Sequence, residues 1–69
     1  MRSEITVNGE TRPWQALEVT GLLVAEGVDP ARRGVAVAIN GAVVPRHRWP
    51  ETAVQPSDRI EIVKPFAGG

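Results

Sequence analysis

Apolar and polar residues alternate at two places in the chain, as they do in strands that bury one face. The alternation runs through Ile5-Thr6-Val7 near the start and returns in Arg59-Ile60-Glu61-Ile62-Val63 near the end. A strand turns successive side chains to opposite faces. We therefore expect the two isoleucines of the later segment to point into a core and its other three residues to point outward.

A hairpin signal follows the first alternating segment. Asn8-Gly9 suits a type I′ turn, since both of its positions take positive φ. Glu10-Thr11-Arg12 would return as the partner strand, and Pro13 would end it because proline has no N–H to donate. Trp14 follows directly and is predicted to cover one end of the core.

A short helix is predicted from Leu17 to Glu26. Val19, Leu22 and Leu23 are spaced i, i+3, i+4, which places them on one face of that helix. Gly27 is positioned to cap its C-terminal end. We expect the apolar face to pack in the core rather than to dock a partner.

Residues 35–39, Val-Ala-Val-Ala-Ile, are apolar on both faces, as in a strand inside a sheet. The three large residues should face the core, while Ala36 and Ala38 point the other way. The two alanines lie either on a lightly covered outer face or in a flat apolar surface that a partner covers. Asn40-Gly41 is a second hairpin turn, and residues 42–44 would form the next strand.

The stretch Arg46-His47-Arg48-Trp49 is the one locally basic part of the chain. Trp49 is expected in the core, and Arg46 and Arg48 on the surface, where they are available to an acidic partner. Basic residues beside an aromatic ring could instead grip RNA. His47 is the only histidine, and alone it supports neither a metal site nor a nucleophile triad.

These elements predict one small α+β domain over residues 1–64. A loop at residues 50–58 would join the basic stretch to the last strand, and residues 65–69 would form a flexible tail. A chain of 69 residues buries only about 60% of the surface that it exposes when unfolded. The 42% of hydrophobic residues is enough for a single core.

Composition excludes several classes of function. Eight basic and eight acidic residues balance, which argues against a nucleic-acid or membrane binder driven by bulk charge. The absence of cysteine excludes disulfides, thiolate metal sites and a catalytic thiol. No apolar run is typical of a signal peptide or a membrane span, so a cytoplasmic location is expected.

The candidate chemistry lies at the end of the sequence, in Lys64-Pro65-Phe66-Ala67-Gly68-Gly69. The two final glycines have no side chains, so the tail is narrow enough to enter a slot that other residues cannot. From Val63 to Gly69 the extended chain reaches roughly 20 Å. The terminal carboxylate would then be the reactive group, whereas the alternative is a frayed end without a function.

The whole chain resembles the ThiS group of ubiquitin-like sulfur carriers. The motifs that carry the resemblance are Val7-Asn8-Gly9, Leu22-Leu23, Val37-Ala38-Ile39-Asn40-Gly41, Val43-Val44-Pro45-Arg46, Trp49, Asp58-Arg59-Ile60-Glu61-Ile62 and Gly68-Gly69. The resemblance implies a β-grasp fold, in which one helix crosses a small mixed sheet. It also implies a carrier protein rather than an enzyme, with no bound cofactor or metal.

In such carriers an E1-like adenylyltransferase uses ATP and Mg²⁺ to activate the terminal carboxylate, here that of Gly69. A persulfide or sulfide source then converts it to a thiocarboxylate, which delivers sulfur to thiazole synthase. Gly68, Ala67 and Phe66 would occupy the partner's channel during activation. The free chain is expected to be a monomer.

Ordering a tail in a channel costs about 1–2 kcal/mol of backbone entropy per residue, so the folded body must supply compensating contacts. The candidate surface is the sheet face with Ala36, Ala38 and Val63, with Arg46 and Arg48 at its rim.

Three other functions stay open at this point. The small subunit of molybdopterin synthase shares the tail chemistry, and a ubiquitin-like modifier of lysines shares the activation step. A β-grasp binding module with an inert end, such as an RNA-binding appendage using residues 46–49, belongs to a different class.

Overall fold

The computed structural model describes residues 3–65. Residues 66–69 of the predicted tail 65–69 lie outside the described residues, as do residues 1 and 2. The elements in chain order are β1 Glu4–Val7, β2 Glu10–Pro13, α1 Val19–Ala25, β3 Ala36–Ile39, β4 Ala42–Val43, a 3-10 helix Arg46–Glu51 and β5 Arg59–Val63.

The five strands form one sheet in the order β2-β1-β5-β3-β4. The last of these five strands, β5, is therefore the central strand of the sheet. It pairs in parallel with β1 and antiparallel with β3, and each of these neighbours carries its own hairpin partner at the sheet edge. The predicted α+β arrangement of a small mixed sheet and one helix is confirmed.

Both hairpin turns form as predicted. Asn8 and Gly9 have φ values of 50° and 84°, and Asn40 and Gly41 have φ values of 51° and 85°. Positive φ at both central positions defines the type I′ turn, whose twist matches that of the flanking strands.

The helix begins two residues later than the sequence predicted. The backbone at Glu18 is extended, because the groups on either side of it, the carbonyl of Leu17 and the N–H of Val19, pair with the segment before β5. The carbonyl of Leu17 accepts a hydrogen bond from the N–H of Val54 at 2.9 Å, and the N–H of Val19 donates to the carbonyl of Thr52 at 2.9 Å. A contact over more than thirty residues thus overrides the local helical pattern.

The C-terminal end of α1 follows the prediction. Gly27 has a φ of +79°, and its N–H donates to the carbonyl of Val24 at 3.0 Å. The next N–H, that of Val28, donates to the carbonyl of Leu23 at 2.8 Å. This pair of bonds is a Schellman motif, and the buried side chain of Val28 supplies its apolar contact.

The core lies between α1 and the inner face of the sheet. Its buried residues are Ile5, Val7, Val19, Leu22, Leu23, Val28, Val35, Val37, Trp49, Val54, Ile60 and Ile62. The predicted inward positions of β3 and β5 are confirmed, with Ile39 partly buried at the margin. The partly buried Trp14 packs against the core as predicted, and its indole N–H donates to the carbonyl of Val54 at 2.8 Å.

The segment before β5 contains a 3-10 helix and a buried valine that the sequence pattern did not predict. The basic stretch forms a 3-10 helix that packs against α1, and its Trp49 is only 3% exposed. Val54, within the predicted loop, is also 3% exposed. Sequence reasoning missed Val54 because one valine among polar and proline residues has no periodic partner.

Candidate functional site

The candidate site is built around the end of β5, where the chain leaves the sheet. Val63 is the last residue of β5 and lies opposite Ala36 of β3. Lys64 and Pro65 follow, and Pro65 is half-buried against Gly34. Pro65 therefore continues from the central strand of the sheet and lies beside the start of β3.

The asparagines of the two hairpin turns hold the two ends of β5. The N–H of Ile62 donates to Oδ1 of Asn8 at 2.8 Å, and Nδ2 of Asn8 donates to the carbonyl of Ile62 at 3.1 Å. At the other end, the N–H of Arg59 donates to Oδ1 of Asn40 at 2.8 Å. The amide side chains act here as substitutes for the backbone groups of a longer strand.

Asp58 completes the anchor at the start of β5. Its side chain is buried, and its two carboxylate oxygens accept hydrogen bonds from Nδ2 of Asn40 at 2.9 Å and from the N–H of Gln55 at 2.8 Å. A buried carboxylate needs such donors, since an unpaired one is costly. The strand that carries the tail is thus fixed before Val63 is reached.

The sheet face opposite α1 carries an apolar surface, which we call the outer patch: Ala36, Ala38, Val43 and Val63. Ala36 lies opposite Val63, and Ala38 lies between Val43 on one side and Glu61 on the other. Val43 and Val63 are 74% and 61% exposed. The structure therefore brings the predicted surface residues Ala36, Ala38 and Val63 together on the outer face.

Val43 belongs to this surface but was missed by sequence reasoning. The sequence does contain a signal for it. A two-residue Asn40-Gly41 turn sets the register of the hairpin, which places Val43 opposite Ala38. Residues opposite each other in an antiparallel pair share a face, so the outward alanine implied an outward valine.

Arg46 is exposed, as predicted, but its guanidinium already has partners within the chain. It donates to the carbonyl of Pro30, to the carbonyl of Arg32 at 2.8 Å and, more weakly, to the carbonyl of Val35 at 3.5 Å. It also stacks over the ring of Trp49, 4.5 Å from the centroid. Arg46 therefore ties the loop before β3 to the 3-10 helix, and its contact with a partner stays a prediction.

Arg48 lies nearer to the outer patch. Together with His47 and Val43 it lines a shallow depression of about 400 Å³ at the β4 edge. Its guanidinium lies 3.8 Å from the carboxylate of Glu51, and both side chains are mostly exposed. An exposed pair of this kind is weak, so Arg48 can turn to an acidic group on a partner.

A groove of about 350 Å³ lies away from this surface, between β2 and α1. Arg12 crosses it, with its guanidinium 2.8 Å from the carboxylate of Glu10 and 3.3 Å from that of Glu26. Hydrogen bonds to Glu10 and then to Glu26 raise the pKa of Arg12. Arg12 therefore stays charged and links the edge strand to the helix.

Residues 3–65 contain no group of three or more His, Cys, Asp or Glu side chains that could hold a metal ion. None of their helices has the length and apolar character needed to cross a membrane. The predicted tail residues Phe66, Ala67, Gly68 and Gly69 lie outside the described part of the chain, and their roles stay predictions.

Known proteins resemble the chain over nearly its full length. A crystal structure of the thiamine biosynthesis protein ThiS from Geobacter metallireducens has a TM-score of 0.75 and 34% identity, covering 96% of this chain and 99% of that one. A solution structure of a thiamine biosynthesis protein from the same organism has a TM-score of 0.76 and 33% identity, covering 96% and 87%. These likenesses confirm the predicted ubiquitin-like β-grasp fold.

Two curated relatives match by sequence. The sulfur carrier protein ThiS of Escherichia coli (strain K12) is 41% identical over 44 residues, which span 64% of this chain and 67% of that protein. A thiazole synthase of Paramagnetospirillum magneticum is 39% identical over 67 residues, which span 96% of this chain but only 20% of that protein.

A sequence profile of the ThiS family matches residues 4–69, from the first strand through the two glycines. The match includes both turn asparagines, the outer patch and the residues after β5. The chain therefore belongs to the ThiS family.

Proposed function

We propose that this chain carries sulfur as a thiocarboxylate on Gly69 and donates it to thiazole formation in thiamine biosynthesis. The observation that carries the proposal is the Gly68-Gly69 pair, which closes the ThiS family match six residues after the central strand ends. Membership of the family makes the chain a small sulfur carrier rather than an enzyme. Its contribution is to hold and present a reactive group.

The proposed chemistry starts from a poor electrophile. A carboxylate does not accept a nucleophile readily, because oxide is a poor leaving group. In the proposed first step a carboxylate oxygen of Gly69 attacks the α-phosphorus of ATP, pyrophosphate leaves, and an acyl-adenylate forms. An E1-like adenylyltransferase would catalyse this step with Mg²⁺ bound to the nucleotide.

Sulfur would enter in the second step. Sulfide attacks the acyl carbon and AMP leaves, which gives the thiocarboxylate directly. Where the donor is a persulfide, its terminal sulfur displaces AMP and a thiol reductant then cleaves the resulting S–S bond. The sulfur of the product is more nucleophilic than the oxygen it replaces, and thiazole synthase would be the acceptor of that sulfur.

The described residues support the proposed role as a carrier because they hold the strand that leads to Gly69 in a defined position. Hydrogen bonds to Asn8 and Asn40 fix β5 at both ends, so the start of the tail has a defined position. The outer patch lies beside that position and is apolar enough to be covered by a partner. We propose that the adenylyltransferase and thiazole synthase each dock here, with Arg48 at the rim.

A thiazole synthase as partner has separate support. The Paramagnetospirillum relative is itself a thiazole synthase, and a region like this chain makes up a fifth of it. Such a region within the synthase would keep carrier and acceptor together. We further propose that the chain works in the cytoplasm, where ATP is available to the activating enzyme.

Mass spectrometry of the protein from its own host, grown without thiamine, tests the proposal. We expect a C-terminal peptide in which one sulfur replaces one oxygen, and loss of that form when the adenylyltransferase gene is deleted. A chain that always has an unmodified or blocked Gly69 would overturn the proposal. Conjugates of higher mass would instead indicate a protein modifier, and a loss of molybdopterin rather than thiazole would indicate the molybdopterin pathway.

A further inference from the structure

Gly34 makes an unusually close approach to Pro65, the last residue that the structure describes. A Cβ at Gly34 would lie 3.0 Å from Cβ of Pro65 and 3.5 Å from its Cγ. The φ of Gly34 is +84°, a conformation in which glycine is unstrained. The bare Cα of Gly34 therefore leaves the space that the half-buried proline ring occupies.

The loop that carries Gly34 is held in place by its neighbours. Arg46 donates to the carbonyls of Arg32 and Val35, which lie on either side of Gly34 in the chain. Arg46 in turn stacks on Trp49, which is buried in the core. The backbone at Gly34 thus has little freedom to retreat if Pro65 is pushed.

Pro65 is equally restricted from its own side. Its ring limits φ to about −65°, and Val63, two residues earlier, lies opposite Ala36 in the sheet. Few backbone torsions are therefore free to rotate between the end of the sheet at Val63 and residue 65. The contact with Gly34 therefore limits the direction in which the chain continues.

We propose that Gly34 is a positioning residue that sets, through its contact with Pro65, the direction in which the tail is presented to the adenylating enzyme. This inference rests on the proposed function. Misplacement by 1 Å can lower a rate by roughly a hundredfold at a rigid site. We expect about a tenfold effect here, since the glycines of the tail absorb part of any error.

The test compares Gly34→Ala with Gly27→Ala as substrates of the host adenylyltransferase. The rate of adenylation is measured by the release of pyrophosphate. Gly27 has a similar φ of +79° but open space where its Cβ would lie. Both variants therefore place alanine at a similar positive φ, and only Gly34→Ala pushes Pro65. We expect kcat to fall about tenfold for Gly34→Ala, with KM changed less than twofold because the docking surface is intact.

A second variant keeps the test decisive. Pro65→Gly removes the ring that the new Cβ would strike, so Gly34→Ala combined with Pro65→Gly should match Pro65→Gly alone. Equal kcat for Gly34→Ala and Gly27→Ala, or a kcat for the double variant that is clearly below that of Pro65→Gly alone, would overturn the positioning role. A different result would contradict the proposed function itself: no pyrophosphate release when the unaltered chain is incubated with the adenylyltransferase and ATP.

Nuclear Overhauser contacts between Gly34 and the Pro65 ring test the packing without any enzyme, and their absence would overturn the inference.

Discussion

Asn8 and Ile62 are joined by a reciprocal pair of hydrogen bonds across 54 residues of sequence. The side-chain amide of Asn8 accepts from the N–H of Ile62 and donates to its carbonyl, as a backbone unit would in a ladder. It does so at the point where β1 has ended and β5 continues. The turn that closes the first hairpin therefore also holds the strand that leads to the tail.

Asn8→Gly should destabilise the fold without straining the turn, because glycine accepts the positive φ at this position. Two hydrogen bonds at roughly 0.5–1.5 kcal/mol each predict a loss of about 1–3 kcal/mol in the free energy of unfolding. Urea denaturation measures that loss. Hydrogen exchange of the Ile62 amide should also accelerate, since its acceptor is gone.

Asn40→Gly is the matched control, because Asn40 has the same turn position and accepts from the N–H of Arg59. It should accelerate exchange at Arg59 and leave Ile62 protected. If each variant accelerated hydrogen exchange equally at Arg59 and at Ile62, the two asparagines would not be acting as separate anchors.

Val63→Gln is predicted to weaken docking with little effect on stability. Val63 is 61% exposed, so the free energy of unfolding should change by about 0.5 kcal/mol or less. A partner that covers the outer patch would bury the new amide without a hydrogen bond, which predicts about a tenfold rise in Kd for the adenylyltransferase. Isothermal titration measures that Kd.

Val24→Gln provides the comparison for this surface. Val24 is 62% exposed but lies on α1, on the other side of the sheet. Its substitution should leave the Kd unchanged. A larger effect from Val24→Gln than from Val63→Gln would place the docking surface on the helix instead.

Gly68→Val should leave the fold intact and prevent activation. The added side chain would collide with the walls of a channel that admits only a bare backbone. We expect the unfolding midpoint in urea to stay unchanged and the release of pyrophosphate to fall below detection. Normal release by this variant would show that the channel does not require glycine.

Arg46→Lys should loosen the loop before β3, because lysine cannot reach several carbonyls with a planar fork. Lost hydrogen bonds and weaker stacking on Trp49 predict a cost of about 1–2 kcal/mol in the free energy of unfolding. Tryptophan fluorescence during urea denaturation measures it. Arg48→Lys, which alters only an exposed pair with Glu51, should cost less than about 0.5 kcal/mol. An equal cost for the two variants would contradict the structural role of Arg46.

Several features of this protein could be predicted from sequence because they depend on neighbouring residues. The Asn-Gly pairs specify their turns through positive φ, and the alternation of residues 59–63 specifies which side chains β5 buries. The helical spacing and Gly27 likewise predict the core face of α1 and its C-terminal cap. The predicted surface alanines could be assigned to a face from the period of a strand alone. The motifs also indicated the ThiS family, which the comparisons confirm.

Other features depend on residues that are distant in sequence, and only the tertiary structure decided them. The helix start shifted because the backbone of Leu17 pairs with Val54, and the hydrogen bonds of Arg46 to the loop before β3 join residues that are distant in sequence. The contact between Gly34 and Pro65 likewise has no signal in the sequence pattern around either residue. Local patterns report backbone preferences and burial, whereas the choice of a distant partner depends on how the whole chain packs. For that reason the sequence determined the elements and the family motifs, and the packed sheet determined how the last described strand is held.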